Sequence, residues 1–252
     1  MHPDDPFGEV NFPVSRAFWD GDEDGSYFEV DKRSVSLEIK CALELDDDAT
    51  VLIAEGDLVV DFISGYLKEK NVEQCGRVQI SEATETHQLK RVLLNIHRPT
   101  SQLLVCCVTR FLTPEVCNDV LNQLYDKIGS KKRFIGLVSR PVVDHASGER
   151  NEDRSFLIRC LSVNGPSPNG VPLLEVPNYI TGLCAAAFQM SVVMRSRGQI
   201  FCVYAEEQDF DRGTFNELSR SVRKSFLGED GPWPRTTISV GSASGDRGNI
   251  YC

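Results

Sequence analysis

The segment TVLIAEGDLVVDFISGYL, residues 50–67, decides the fold class of this chain. Its first five residues form a β-branched apolar run, which is typical of a buried strand. After Glu55 and Gly56, apolar residues recur at helical spacing over residues 58–67, and Asp57 stands where a helix cap is expected. A strand that turns directly into an amphipathic helix is the building unit of an α/β fold.

Similar alternation continues on both sides of this segment. Strands are predicted at residues 35–43, 76–80, 91–97, 103–109, 133–139, 156–163 and 200–205, and helices at residues 113–128, 177–195 and 213–227. The tetrapeptide Pro99-Thr100-Ser101-Gln102 separates two apolar runs, which predicts a hairpin. We therefore expect one α/β domain whose mixed, mostly parallel sheet carries helices on both faces, making three layers.

The composition divides the chain into three parts: an acidic, aromatic-containing arm at 1–31, the α/β core at 32–228, and a flexible Gly/Ser/Pro-rich tail at 229–252. In the arm, nine carboxylates and the single base Arg16 give a charge of −8, out of −10 for the whole chain. Because such an arm repels phosphate backbones and anionic lipid, neither nucleic acid nor a membrane is expected as a partner. Its aromatic residues predict that part of the arm docks, on this body or on a partner.

Cysteine usage indicates a reducing compartment. Most of the nine cysteines sit inside apolar runs, as buried free thiols do, so we expect the cytoplasm, with the nucleus as the second candidate. The cysteines lack the paired spacing of a zinc site. The acidic run Asp46-Asp47-Asp48 lacks the alternating ligands of a calcium loop. No metal and no cofactor is expected.

Motifs for catalysis are missing from the sequence. It contains no Gly-x-Gly-x-x-Gly, no Walker-type loop and no Gly-x-Ser-x-Gly elbow. One alternative stays open, because His97 comes near Cys106 and Cys107 across the predicted hairpin, as in a Cys–His hydrolase. A sheet histidine beside two core thiols explains the same residues, and we expect no catalytic residue and no enzyme.

The last three residues, Ile250, Tyr251 and Cys252, have the pattern of a peptide plug: an apolar residue, a tyrosine and a free terminal carboxylate. Such an end fills a pocket with its apolar side chain and ring while the carboxylate pairs with a base. Residues 239–248 are rich in Gly and Ser, and about 20 residues of such coil reach roughly 25 Å. A frayed terminus is the competing interpretation.

Three groups of residues, taken in order, resemble the proteasome assembly chaperones, and within that family the chaperone 1 type. They are Phe7-Gly8-Glu9-Val10 with Ser15-Arg16-Ala17, then Leu173-Leu174-Glu175-Val176-Pro177-Asn178 before Ala185-Ala186, and Asn249-Ile250-Tyr251. The resemblance spans nearly the whole chain. Cys252 stands where the family pattern has Thr, at a position that tolerates change.

The resemblance implies a non-catalytic subunit that pairs with proteasome assembly chaperone 2 and scaffolds the α-ring of the 20S core particle. Ile250 and Tyr251 would insert into a pocket between neighbouring α subunits, and the Cys252 carboxylate would meet a pocket lysine. Phe7, Gly8, Glu9 and Val10 would dock on a partner or on the body. The alternative within this interpretation is a regulator that binds the mature 20S core through the same tail.

Overall fold

The computed structural model describes residues 33–40, 43, 45–83, 88–129, 132–146, 156–165, 170–205 and 218. The predicted arm at 1–31 and tail at 229–252 lie outside them. The strands are β1 (Arg33–Ile39), β2 (Thr50–Glu55), β3 (Gln74–Ala83), β4 (Gln88–Thr100), β5 (Leu103–Val108), β6 (Arg133–Arg140), β7 (Phe156–Val163) and β8 (Gly198–Ala205). The helices are α1 (Asp57–Glu69), α2 (Pro114–Ile128), α3 (Leu183–Val193) and a 3-10 turn, Val142–Asp144.

The strands form one sheet in the order β1-β3-β4-β5-β2-β6-β8-β7. The centre, β5-β2-β6-β8, is parallel, and the remaining pairings are antiparallel. The prediction of a mixed sheet is confirmed, but the prediction of a mostly parallel one is wrong, since four of the seven pairings are antiparallel. The physical reason is connection length: β3, β4 and β5 follow one another without the long crossover that parallel neighbours need.

Local signals placed several elements correctly. Thr100 pairs with Leu103, so Ser101 and Gln102 form the turn of the predicted hairpin between β4 and β5. The helix α2 has Thr113 at its N-cap, Pro114 in its first turn and Gly129 at its C-cap, as its sequence indicates. Residues that favour a turn or a helix end regardless of distant contacts thus determine these boundaries.

Helices pack on both faces of the sheet because successive residues of β2 point in opposite directions. Val51 and Ile53 belong to the apolar cluster that contains the buried faces of α2 and α3. Leu52 and Ala54 belong to the cluster on the α1 side. Only α1 and Leu218, which is fully buried, are described among the helical residues of that side, so the predicted third layer is shown only as far as α1.

The start of α3 corrects the predicted helix at 177–195, because the helix begins at Leu183 instead of Pro177. The carboxylate of Glu55, at the end of β2, accepts the backbone N–H groups of Leu183 at 3.2 Å and Cys184 at 2.9 Å. Gly182 precedes them with φ +92°, a conformation that favours glycine. The helix therefore begins where a distant carboxylate can satisfy its first N–H groups.

Replacing Gly182 with alanine should lower the free energy of unfolding by about 1–3 kcal/mol. A Cβ at this position would overlap the Glu55 carboxylate, and an L-residue is strained at this positive φ. Urea unfolding followed by circular dichroism measures the change. The matched control is Gly65→Ala inside α1, where the added methyl meets no atom within 4 Å and should stabilise by roughly 0.5–1 kcal/mol. Equal effects of the two substitutions would contradict the role of Gly182.

Candidate interaction surface

The predicted site residues at the two chain ends, Ile250, Tyr251 and Cys252 together with Phe7, Gly8, Glu9 and Val10, lie outside the described residues. Their roles stay predictions. The third group that carries the resemblance, residues 173–178, is described, and the structure shows how its side chains are held.

Residues 171–182 form a loop that runs beside β7, at the end of the sheet. The backbone N–H of Cys160 donates to the Pro172 carbonyl at 2.9 Å, and Leu174 N–H donates to the Cys160 carbonyl at 2.8 Å. The loop therefore occupies backbone groups that an edge strand otherwise leaves free. Its start is fixed by β7 and its end by the first turn of α3.

Glu175 anchors the middle of this loop. Arg159 Nε on β7 donates to both carboxylate oxygens, at 2.9 and 3.2 Å. His145 Nε2 lies 3.2 Å from Glu175 Oε1 without hydrogen-bond geometry, and its ring packs edge-on against Tyr204. Burial alone would raise the pKa of Glu175, but the hydrogen bond from Arg159 and the charges of Arg159 and His145 outweigh it, so this pKa is lowered.

Asn178 joins the loop to the segment that follows β6. Its Oδ1 accepts the N–H of Ala146 at 2.8 Å, and its Nδ2 donates to the Ala146 carbonyl at 2.8 Å. The same Nδ2 also donates to the Glu175 carbonyl at 2.8 Å. The side-chain amide thus pairs with a backbone as a neighbouring strand would, and it fixes two surface segments relative to each other.

Four large apolar side chains on these two segments face solvent. Val143 is 84% exposed, Val176 93%, Tyr179 79% and Leu173 59%. We call these four residues the apolar loop patch. Isolated exposed apolar residues are ordinary, but these four lie on two segments that Asn178 joins, which makes them a candidate binding surface. The patch can contact a protein partner without first being ordered.

The sequence does not predict the apolar loop patch. Only Tyr179 falls within the predicted helix at 177–195, and no local pattern indicates that Val143, Leu173 and Val176 face solvent. Val176 precedes a proline, which disfavours a helical conformation for it, but a helix that begins at Pro177 has the same preference. The partners of Glu175 also left no local signal, since Arg159 and His145 lie on other segments of the chain.

The geometry does not favour a Cys–His hydrolase. His97 pairs with Val105 and Ile96 with Cys106, so the side chains of His97 and Cys106 project from opposite faces of the sheet. Cys107 shares the face of His97, but burial raises its pKa to about 12, and the pKa of Cys106 is also well above its usual value. Neither thiol can readily form the thiolate that acts as a nucleophile.

The described ranges show neither a metal site nor a membrane-spanning helix. In that part of the chain, no group of three or more His, Cys, Asp or Glu side chains is arranged to hold a metal ion. No helix described there combines the length and the apolar composition that crossing a bilayer requires.

Solved structures that share this fold include three with descriptions related to proteasomes. Pyrococcus furiosus PbaA, an archaeal homolog of proteasome-assembly chaperone, matches with TM-score 0.54 and 15% identity over 79% of this chain and 88% of that one. P. furiosus PbaB, an archaeal proteasome activator, matches with TM-score 0.52 and 10% identity over 78% and 91%. The Mycobacterium tuberculosis proteasome-assembly chaperone homologue Rv2125 matches with TM-score 0.50 and 11% identity over 73% and 87%.

At these identities the likeness shows a common fold. No family model matches the chain, and the search of curated proteins finds no match either.

Cysteine accessibility tests the buried environment of the thiols. All seven cysteines in the described ranges are buried. Since the chain has nine, a thiol reagent should rapidly label at most two cysteines of the native protein. Urea should expose all nine. His97→Ala should leave the native labelling rate unchanged. Rapid labelling of Cys106 or Cys107 that His97→Ala slows would restore the hydrolase interpretation.

The lowered pKa of Glu175 predicts a pH-dependent contribution to stability. Since its folded-state pKa lies below the usual 4.5, the contribution is present above that value and is lost as the pH falls through the folded-state pKa. Glu175→Gln should lower the free energy of unfolding by under about 1 kcal/mol at pH 7, because the Glu175–Arg159 pair is partly exposed. In strong acid the substitution should leave the free energy of unfolding unchanged. Urea unfolding at several pH values measures this. The control Asp61→Asn, at an exposed position of α1, should change stability by less than about 0.5 kcal/mol throughout.

Proposed function

We propose that this chain is a proteasome assembly chaperone of the chaperone 1 type, which pairs with proteasome assembly chaperone 2 and scaffolds the α-ring of the 20S core particle. The observation that carries the proposal is the fold shared with PbaA, described as an archaeal homolog of proteasome-assembly chaperone. This fold likeness points to the family that the residues at both ends of the chain and at 173–178 also resemble. The similar structures are described as chaperone homologues and an activator, which agrees with a non-catalytic role.

The proposed mechanism begins with the C-terminal tail. Ile250 and the ring of Tyr251 enter a pocket between neighbouring α subunits, and the Cys252 carboxylate pairs with a lysine there. Burying a tyrosine removes about 150–250 Å² from water, or roughly 4–6 kcal/mol. Ordering a flexible tail takes back about 2–5 kcal/mol. The tail alone is therefore a weak anchor.

A second contact from the body is needed to strengthen this anchor. Two linked weak contacts bind far more tightly than either alone, because the first raises the effective concentration of the second. The apolar loop patch suits this role, since Glu175 and Asn178 hold its two segments in place. Phe7, Gly8, Glu9 and Val10 are the proposed docking residues of the N-terminal arm. Weak, separable contacts suit a scaffold that must leave the finished ring.

A regulator of the mature 20S core is the second candidate. The observation that favours it is the fold likeness to PbaB, which is described as an archaeal proteasome activator. Both candidates use the same tail, and both place the protein in the cytoplasm, with the nucleus as a second site. They differ in the particle that is bound.

Deleting Ile250, Tyr251 and Cys252 should weaken capture of 20S α subunits in a pull-down by about tenfold or more, since the tail's buried ring and charge are lost. The circular dichroism spectrum and the unfolding midpoint should not change. Cys252→Thr is the matched control, because it keeps the carboxylate and should capture as well as the natural chain. Unchanged capture by the truncated protein would refute the proposed tail contact.

Co-expression with proteasome assembly chaperone 2, followed by native mass spectrometry and native gels, separates the two candidates. The chaperone proposal expects a one-to-one heterodimer on incomplete α-ring particles. Binding to finished 20S particles alone would favour the regulator.

A further inference from the structure

The carboxyl ends of the parallel strands β5, β2 and β6 lie side by side at one end of the sheet. The chain leaves β2 and returns as β5 on one side of it, then passes through α2 and returns as β6 on the other side. The connections therefore diverge around β2. In open α/β sheets, such a topological switch point forms the crevice in which ligands bind.

A crevice of about 630 Å³ opens at this point, a volume typical of small-molecule sites. Its lining includes Gly56, whose φ is +99° and whose missing side chain leaves room for the hydroxyl and the backbone of Ser139. Its walls include Arg110 and Phe111, which follow β5, and Arg140 at the end of β6. Three separate connections thus supply side chains to one cavity.

Arg110 and Arg140 supply the positive charge of the crevice. Arg140 Nη2 donates to the neutral hydroxyl of Thr181 at 2.6 Å, which leaves its other N–H groups available. Neither Arg110 nor Arg140 forms an ion pair with a carboxylate of the described residues. Guanidinium groups that line a concave site suit phosphate oxygens, which each can bind in a fork.

Two carboxylates, Glu55 and Asp57, also line the crevice. Both oxygens of Glu55 accept N–H groups at the start of α3, so this carboxylate is already engaged by a helix N-terminus. The N-terminus of α1 also lines the crevice, with Gly56 at the N-cap and no side-chain cap. Asp57 is exposed and is the acid left at this end. The arginines and the helix end together favour an anion.

Phe111 adds a flat apolar surface to the charged one. Its side chain is 78% exposed, so it contributes little to the core, and it lines the same crevice as the arginines. An exposed aromatic ring beside cationic groups is suited to stacking on the planar ring of a ligand.

We propose that this crevice binds a small organic phosphate that carries a planar ring, the chemistry of a nucleoside phosphate. Arg110 and Arg140 hold the phosphate and Phe111 stacks on the ring. Since the sequence lacks both glycine-rich phosphate loops, the phosphate is held by guanidinium groups instead of by a backbone cradle. The site does not depend on the proposed chaperone role.

Isothermal titration of the full chain with AMP tests the proposal, with adenosine and inorganic phosphate as partial probes. We expect saturable one-to-one binding of AMP and about tenfold weaker binding in Arg110→Ala and in Arg140→Ala. Arg197→Ala is the matched control. This exposed arginine precedes β8 and lies at the amino ends of the parallel strands, away from the crevice, so its loss should not change AMP binding. Phe111→Ala should weaken binding of AMP but not of inorganic phosphate.

The proposal is overturned if AMP shows no saturable binding, or if the double variant of Arg110 and Arg140 binds AMP as the natural chain does. Adenosine binding as tightly as AMP would overturn the role of the arginines. An unchanged AMP affinity in Phe111→Ala would overturn the role of the ring. Circular dichroism of each variant confirms that any loss comes from the crevice, since all three side chains lie at the surface or at a strand end.

Discussion

The carboxylate of Glu55 joins β2, a central strand of the sheet, to the start of α3. Glu55 is the last residue of β2. Its two oxygens accept hydrogen bonds from the first two N–H groups of α3, which belong to residues 128 and 129 positions later in the chain. A charged acceptor at a helix N-terminus contributes roughly 1.5–3 kcal/mol per hydrogen bond, because it meets both the unpaired donors and the positive end of the helix dipole. Cys184 reinforces the contact, since its thiol also lies against the Ile53 carbonyl at 3.5 Å.

The consequence of this contact extends to the loop before α3. With the start of the helix fixed, residues 171–182 must span from β7 to one defined point, and Glu175 and Asn178 hold the middle of that path. The exposed side chains of the apolar loop patch are therefore presented by a braced segment. A braced apolar surface loses little conformational entropy when a partner covers it, which is the main advantage of preorganisation.

The sequence predicted elements whose signals are local and missed those that depend on distant residues. The strand β2 with α1, the β4–β5 turn and both ends of α2 follow from spacing, proline and glycine within a few positions. The start of α3 does not, because it depends on a carboxylate on another strand. The antiparallel flank was also underestimated, although β3 and β4 follow each other without an intervening helix. For the candidate site, the sequence indicates the motif at 173–178, but its exposed loop conformation and the partners of Glu175 depend on residues far away in the chain.

The hydrogen bonds of Cys160 to Pro172 and Leu174 have a consequence for how this chain can associate with other proteins. The outer backbone groups at the middle of β7 are already used within the chain, so another protein cannot extend the sheet there by β-augmentation. Recognition at this end of the molecule must then depend on side-chain complementarity instead of on main-chain pairing. Contacts of that kind discriminate between partners by shape and chemistry, and they protect the sheet from open-ended polymerisation at this border.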